Sequence, residues 1–150
     1  MTGISKLEGM PVMVSDEKEG HVQKVILTRD GRAVRGMVIR SGMQGMRWLD
    51  REQISMVGNV CVIANSSPGK LPKDADYHLF RVSDAEGERL GMVTDAIINE
   101  ETMRVAALEI SSGPLDDLIH GRWYATAYSV LPGEKTGHVT VFCDGRGVKQ

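Results

Sequence analysis

The side chains in the first half of the chain best suited to an anionic partner are arginines around one short turn. Arg29 and Arg32 bound the stretch RDGR, and Arg35 follows it. Guanidinium groups bind phosphate and carboxylate through paired hydrogen bonds, so this cluster indicates a site for phosphate or for an acidic protein. Charges on the edge of a hairpin also block aggregation between sheets, and we favour that interpretation.

A second candidate is the glycine-rich loop SGMQGM, which carries Met43 and Met46 directly before Trp48. Flexible methionines on a surface make adaptable protein contacts. The alternative is that the loop folds over the end of a barrel and both side chains fill its core. The candidate interaction surface therefore comprises five residues: Met43, Met46, Arg29, Arg32 and Arg35.

Signals for catalysis or metal binding are weak throughout the chain. The four histidines lie on different predicted elements, without the spacing of metal ligands: His21, His78, His120 and His138. Asp116 and Asp117 could act as paired carboxylates, but a position at a helix start explains them. No nucleophile-elbow motif is present. We predict no enzymatic activity, no catalytic residue, no cofactor and no bound metal.

The composition is that of a folded globular protein. The chain has 150 residues, of which 41% are apolar and 25% charged, and its net charge of −2 argues weakly against broad nucleic-acid binding. Cys61 and Cys143 lie far apart, which favours two buried thiols over a disulfide. No apolar run is long enough to cross a membrane, and we expect a cytoplasmic protein.

The chain repeats itself with a rising offset. VSD at 14–16 recurs at 82–84 with an offset of 68, Val34 recurs as Val105 with an offset of 71, and Trp48 recurs as Trp123 with an offset of 75. A rising offset predicts insertions in loops of the second copy, of three residues near the first turn and four before Trp123. The two tryptophans are expected to share a packing role.

The elements are predicted to be mostly short strands joined by tight turns, with an Asp-Gly hairpin turn at 29–32. We predict copy one at residues 1–64, a linker at 65–76 and copy two at 77–150. One short helical turn is expected near 114–120, where Pro114 starts it and Gly121 ends it. The predicted fold class is all-β, with two tandem small barrels.

Short glycine-based motifs support a family resemblance. Copy one opens with Leu7, Gly9 and Val12, and the turn Gly20-His21-Val22 is matched in copy two by Gly91-Met92-Val93. VTDAIINEETMRVAALEI in copy two is the closest stretch. Together these motifs resemble the PRC-barrel domain, over nearly the whole chain as two tandem copies.

The resemblance implies a small, strongly curved β-barrel that serves as a binding module and shares no catalytic residues with its relatives. These relatives include the cytoplasmic part of the photosynthetic reaction-centre H subunit, the C-terminal domain of a ribosome-maturation factor and tandem bacterial forms. We therefore predict a non-enzymatic adaptor of the bacterial cytosol with an unidentified protein partner. The copies are expected to pack on each other or to form a homodimer.

Two alternatives to the adaptor stay open. The first is a ribosome- or RNA-associated factor that binds through the basic residues of copy one. The second is a module that binds a small ligand or a metal.

Overall fold

Fourteen strands, one α-helix and three short 3-10 helices form the described part of the computed structural model, which covers residues 1–142 and, as backbone only, 148–149. The first seven strands are β1 (Thr2–Gly3), β2 (Pro11–Val14), β3 (Glu17–Leu27), β4 (Val34–Ser41), β5 (Gly45–Asp50), β6 (Ile54–Val57) and β7 (Val62–Ala64). The others are β8 (His78–Ser83), β9 (Arg89–Ile98), β10 (Val105–Ser111), β11 (Trp123–Ala125), β12 (Tyr128–Pro132), β13 (Thr136–Val141) and β14 (Val148–Lys149). The helix α1 spans Pro114–His120.

The strands form two sheets with the same internal order. The first sheet runs β6-β7-β2-β3-β4-β5, and the second runs β12-β13-β8-β9-β10-β11 and then β14. In each sheet one inner pair is parallel, β2 with β7 and β8 with β13. The predicted all-β class with one short helix is confirmed, and the two sheets fit two tandem small barrels.

The register of the two long hairpins repeats with a constant shift. Six positions pair between β3 and β4, and each pair recurs between β9 and β10 at an offset of 71, with bulges at the same two places. For example, Val22 pairs with Ile39 just as Val93 pairs with Ile110. The repeat is therefore present in the backbone as well as in the sequence.

A glycine occupies the same strained position in each copy. Gly20 has a φ of +150° and Gly91 a φ of +153°, values that side chains rarely adopt. A Cβ atom would collide with the carbonyl oxygen of Arg40 at the first position and of Ser111 at the second. At the turns that carry the family resemblance, Gly20-His21-Val22 and Gly91-Met92-Val93, only glycine therefore allows the two neighbouring strands to come this close.

The register corrects the predicted offset at the first turn. Val12 pairs with Gly20, and Val82 pairs with Gly91. Because the two glycines correspond, Val82 corresponds to Val12 at an offset of 70, and the offset of 68 suggested by the repeated VSD is wrong. Copy two gains one residue at this turn, not three. A repeated tripeptide beside a turn was not sufficient to predict the register of the strands.

The predicted match between the two tryptophans is also wrong. Trp48 pairs with Val38, whereas Tyr124 pairs with Glu109, which is the counterpart of Val38 at the hairpin offset of 71. Trp48 therefore corresponds to Tyr124, and copy two gains five residues here, not four. A shift of one residue along a strand moves a side chain to the opposite face of the sheet.

The two tryptophans accordingly lie in different apolar clusters. Trp123 is buried in the main core, which draws on both sheets. Trp48 is buried in a smaller cluster on the outer face of the first sheet, against Leu71 and Ala75 of the segment predicted as the linker. Trp48 also exchanges two backbone hydrogen bonds with Gly69. This segment is packed onto copy one rather than merely spanning the copies.

The copies pack directly on each other through backbone contacts. The amide of Val34 donates to the carbonyl of Met103, and the amide of Val105 donates to the carbonyl of Arg32, at 2.8 and 2.9 Å. Strand β1 pairs with β9 of the second sheet, so residues of copy one add to the sheet of copy two. The boundaries at 64 and 77 stay predictions.

The helix α1 lies where the sequence predicts it. Pro114 starts the helix. Gly121, with a φ of +74°, ends it, and its backbone amide donates a hydrogen bond to the backbone carbonyl oxygen of Asp117. Of the two cysteines predicted to be buried thiols, Cys61 is a partly buried free thiol. Cys143 lies outside the described residues.

Candidate interaction surfaces

Arg29, predicted as part of an interaction surface, binds residues of copy two and of the segment between the copies. Its guanidinium lies 4.2 Å from the centre of the Tyr77 ring and donates to the carbonyl oxygen of Gly133 at 2.8 Å. It also lies 3.5 Å from a carboxylate oxygen of Asp74. Through these contacts Arg29 links copy one to copy two and to the segment between the copies.

Arg32 and Arg35 are engaged in the same way. Arg32 stacks 3.9 Å from the centre of the Tyr128 ring and donates to the Tyr128 carbonyl oxygen. Arg35 forms an ion pair with Asp74 at 3.1 Å and lies 5.3 Å from the Trp48 ring. All three candidate arginines thus have internal partners, and their contact with phosphate or a partner protein stays a prediction.

The two candidate methionines lie on the surface of copy one. Met43 is fully exposed, and Met46 retains 37% of its exposure. Met43 therefore fills no part of the core, which was the alternative interpretation of this loop. A role in protein contact remains a prediction for both residues.

The helix α1 turns its apolar side chains outward. Leu115, Leu118 and Ile119 are 72%, 83% and 65% exposed. The acidic side chain of Asp117, by contrast, is partly buried and accepts hydrogen bonds from the hydroxyl of Ser111 and the amide of Ser112. The helix is held to the protein by a polar residue, and its apolar side is left free.

Each copy carries a cleft at the base of its long hairpin. Cleft one, of about 590 Å³, is lined by 18–21, 40–42 and 44–46, and cleft two, of about 410 Å³, by 89–92, 94 and 111–114. At the hairpin offset of 71, seven of the nine positions that line cleft two correspond to positions that line cleft one. The two clefts are thus counterparts on one repeated scaffold.

The linings of the two clefts have diverged. Lys18, His21 and Arg40 give cleft one a largely basic lining, which also includes the carboxylate of Glu19. Cleft two keeps one cation, Arg89, is otherwise lined by uncharged side chains such as Leu90 and Met92, and adjoins α1 at Pro114. Copy two therefore combines a mainly uncharged cleft with an exposed apolar α-helix, and copy one offers a largely basic cleft beside a short 3-10 helix (Gly42–Gln44).

Glu109 is the centre of a polar network on the outer face of copy two. It accepts hydrogen bonds from the hydroxyls of Thr94 and Tyr124, at 2.8 and 3.0 Å, and pairs with Arg122 at 2.9 Å. Partial burial by itself raises the pKa of Glu109, but these three partners outweigh it and lower the pKa. Burial and the same carboxylate raise the pKa of Tyr124.

One pair resembles a nucleophile with its base. The hydroxyl of Ser83 lies 2.7 Å from Nε2 of His138. Ser83 is only 6% exposed, however, so a substrate carbon has little access to its hydroxyl. Within residues 1–142, no group of three or more His, Cys, Asp or Glu side chains is arranged to hold a metal ion.

A cavity of about 320 Å³ lies between the two copies. Its walls combine apolar side chains, Val25 and Leu27 from copy one and Leu79 and Val93 from copy two, with charged and polar ones that include Glu8, Lys24, His78 and Asp95. Its volume falls at the lower end of the range typical of small-molecule sites, about 300–1,000 Å³.

The spacing of apolar residues in the sequence predicted an apolar face on α1. It did not predict whether that face points to the core or to solvent. Leu115, Leu118 and Ile119 recur at helical spacing, which usually indicates a buried face. Copy one has no counterpart of these three residues, and this difference was the sequence signal for a role specific to copy two. The basic lining of cleft one had no such sign, because His21 and Arg40 meet only through strand pairing.

Comparison with known proteins agrees with this fold. The sequence model of the PRC-barrel domain family matches residues 80–143, which include the hairpin, α1 and most strands of the second sheet. The match thus covers most of copy two and supports the PRC-barrel resemblance there. No curated protein matches the chain. No helix in the described residues is long and apolar enough to span a membrane.

Proposed function

We propose that the protein is a non-enzymatic protein-interaction module, an adaptor in which copy two supplies a main docking surface through α1. The observation that carries this proposal is the exposure of Leu115, Leu118 and Ile119 on one helix. Exposed apolar groups that lie together mark binding surfaces more often than groups scattered singly.

The attachment of α1 supports the proposal. Asp117 holds the helix to Ser111 and Ser112, so the apolar side chains stand on a fixed base. Leu90 and Met92 line the adjoining cleft two and extend the apolar surface. A docked apolar segment would bury these side chains, and each buried aliphatic side chain is worth about 1.5–3 kcal/mol.

The non-enzymatic part of the proposal rests on the fold and on Ser83. The PRC-barrel domain is compatible with a binding module. The pair of Ser83 with His138 is shielded by the burial of the serine. The bacterial cytosol as location, a homodimer, and the division into copies at 64 and 77 remain predictions that accompany this function.

Site-specific photo-crosslinking tests the docking surface. A photoreactive amino acid replaces Leu118 in one variant and Leu131, 74% exposed on β12, in a matched control. In cells of the source organism, we expect a discrete crosslinked partner from position 118 and not from position 131. Crosslinking from 131 alone, or from neither position, would contradict the proposal.

A small-ligand module is a second candidate, favoured by the cavity between the copies. Its volume and its mixed apolar and charged walls suit a compact molecule that carries both apolar and polar groups. A thermal-shift screen with Leu79→Trp as the blocked variant tests it. A ligand that uses this cavity should raise the melting temperature of the natural chain with concentration and leave that of the variant unchanged.

A further inference from the structure

We infer that cleft one is a second docking site, which takes an acidic segment of the partner protein. This inference rests on the proposed function, since it assumes a protein partner, and it specifies the chemistry of a surface remote from α1 in the sequence. It is carried by two cations of the cleft, Lys18 and Arg40, which form no ion pair among the residues that the structure describes.

The basic side chains of cleft one are aligned by the sheet. His21 of β3 pairs with Arg40 of β4, which in turn pairs with Met46 of β5. Directly paired residues of neighbouring strands point to the same face, so these three side chains form one row. Lys18 lines the same cleft. The row combines the guanidinium of Arg40 and the imidazole of His21 with the apolar side chain of Met46.

The two cations of this cleft form no ion pair within the part of the chain that the structure describes. Neither Lys18 nor Arg40 has a carboxylate within 4.0 Å among the described residues. Arg40 donates through Nε to the neutral side chain of Gln23 at 3.2 Å. The one acid that lines the cleft, Glu19, accepts a hydrogen bond from the hydroxyl of Ser67 at 2.8 Å. Since a serine hydroxyl does not neutralise Glu19, the cleft holds two cations and one carboxylate, and Lys18 and Arg40 remain available to an external carboxylate.

Cleft two shows that the scaffold does not require the charge of Arg40, although it keeps a cation, Arg89, at the counterpart of Lys18. The counterparts of His21 and Arg40 in copy two are Met92 and Ser111, which pair with each other in the same way. The same paired positions thus carry an imidazole and a guanidinium in one copy and two uncharged side chains in the other. This difference indicates that the two clefts bind different parts of a partner.

The loop beside the cleft fits a peptide rather than a small anion. Gly42 and Gly45 leave open space around their α-carbons. Met43 is fully exposed beside them, and Met46 continues the row of His21 and Arg40. A segment in which acidic residues alternate with apolar ones would match both features, carboxylates toward Arg40 and apolar groups toward the methionines.

Fluorescence anisotropy with a labelled decapeptide of alternating aspartate and leucine tests this assignment on the full chain. At about 50 mM salt, where screening is weak, we expect binding to the natural chain. Arg40→Ser, which installs the copy-two residue, should weaken binding about five-fold, the effect of losing one surface ion pair. Arg89→Ser removes a cation from cleft two and should leave the affinity unchanged.

Three outcomes would overturn the assignment. They are no binding of the acidic peptide, equal binding by Arg40→Ser, and tighter binding of a single-stranded RNA than of the peptide, because RNA would then be the anionic partner. If the peptide fails while Leu118 still crosslinks a partner, cleft one is excluded and the proposed function stands. If Leu118 yields no partner, the proposed function itself fails.

Discussion

Ala33 and Arg104 occupy equivalent positions in the two copies, and they face each other across an antiparallel bridge. Two equivalent residues can meet in this way only on an approximate two-fold axis. The flanking hydrogen bonds obey the same symmetry, since Val34 binds Met103 and Val105 binds Arg32. The contact between the copies is therefore the intramolecular form of a symmetric dimer interface.

Each hairpin tip reaches into the other copy. The hydroxyl of Tyr128 donates to the carbonyl oxygen of Gly31 at 2.7 Å. On the other side, Arg51 donates to the carbonyl of Thr102 at 2.9 Å. Because the main apolar cluster also draws on both sheets, we expect the copies to unfold as one cooperative unit.

Removing the Tyr128 hydroxyl should destabilise the whole chain. Tyr128→Phe leaves the buried carbonyl of Gly31 without its partner, which costs about 1–3 kcal/mol. Urea denaturation followed by circular dichroism and by tryptophan fluorescence should show one earlier, coincident transition. Tyr124→Phe, at a partly exposed hydroxyl, serves as the control and should cost less. Separate transitions from the two probes would show that the copies unfold independently.

Trp48 should control access to the segment that follows copy one. Trp48→Ala removes the surface on which Leu71 and Ala75 pack, so Lys70 and Lys73 become better substrates for trypsin. The measurement is the rate of tryptic cleavage at these two sites by mass spectrometry.

The control for that experiment is Tyr124→Ala, because Tyr124 is the counterpart of Trp48 in copy two. It should leave cleavage at Lys70 and Lys73 unchanged. Equal rates in the natural chain and in Trp48→Ala would mean that packing on Trp48 does not hold the segment.

Glu109 should make stability depend on pH in the acid range. Because its pKa is lowered in the folded protein, its contribution is present above the ordinary glutamate pKa and is lost as the pH falls through the lower folded value. Glu109→Gln should reduce the free energy of unfolding by about 1 kcal/mol at neutral pH and flatten this acid dependence. Denaturation midpoints across the acid range measure it, with the exposed Glu86→Gln as control. An unchanged slope in Glu109→Gln would exclude this network as the cause.

Local signals in the sequence were sufficient for the architecture. Asp30-Gly31 marked the hairpin turn, and Pro114 and Gly121 bounded α1 as predicted. Turns and helix ends depend on a few neighbouring residues, so they can be read from a short stretch.

Register and partners depended on contacts that are distant in the chain. The repeated VSD and the two tryptophans suggested alignments that the strand pairing shifts by two residues and by one. The internal partners of Arg29 and Arg32 lie in copy two or between the copies, so the residue types alone could not separate a surface cluster from an interface between copies.

The most direct test of the central claim is the affinity of the partner captured at position 118. It is measured for the natural chain and for the double variant Leu118→Ser, Ile119→Ser. Both side chains are exposed, so stability should stay within about 0.5 kcal/mol. Losing two buried aliphatic contacts should weaken binding at least about ten-fold. An unchanged Kd in the folded double variant would contradict the account of α1 as the docking surface.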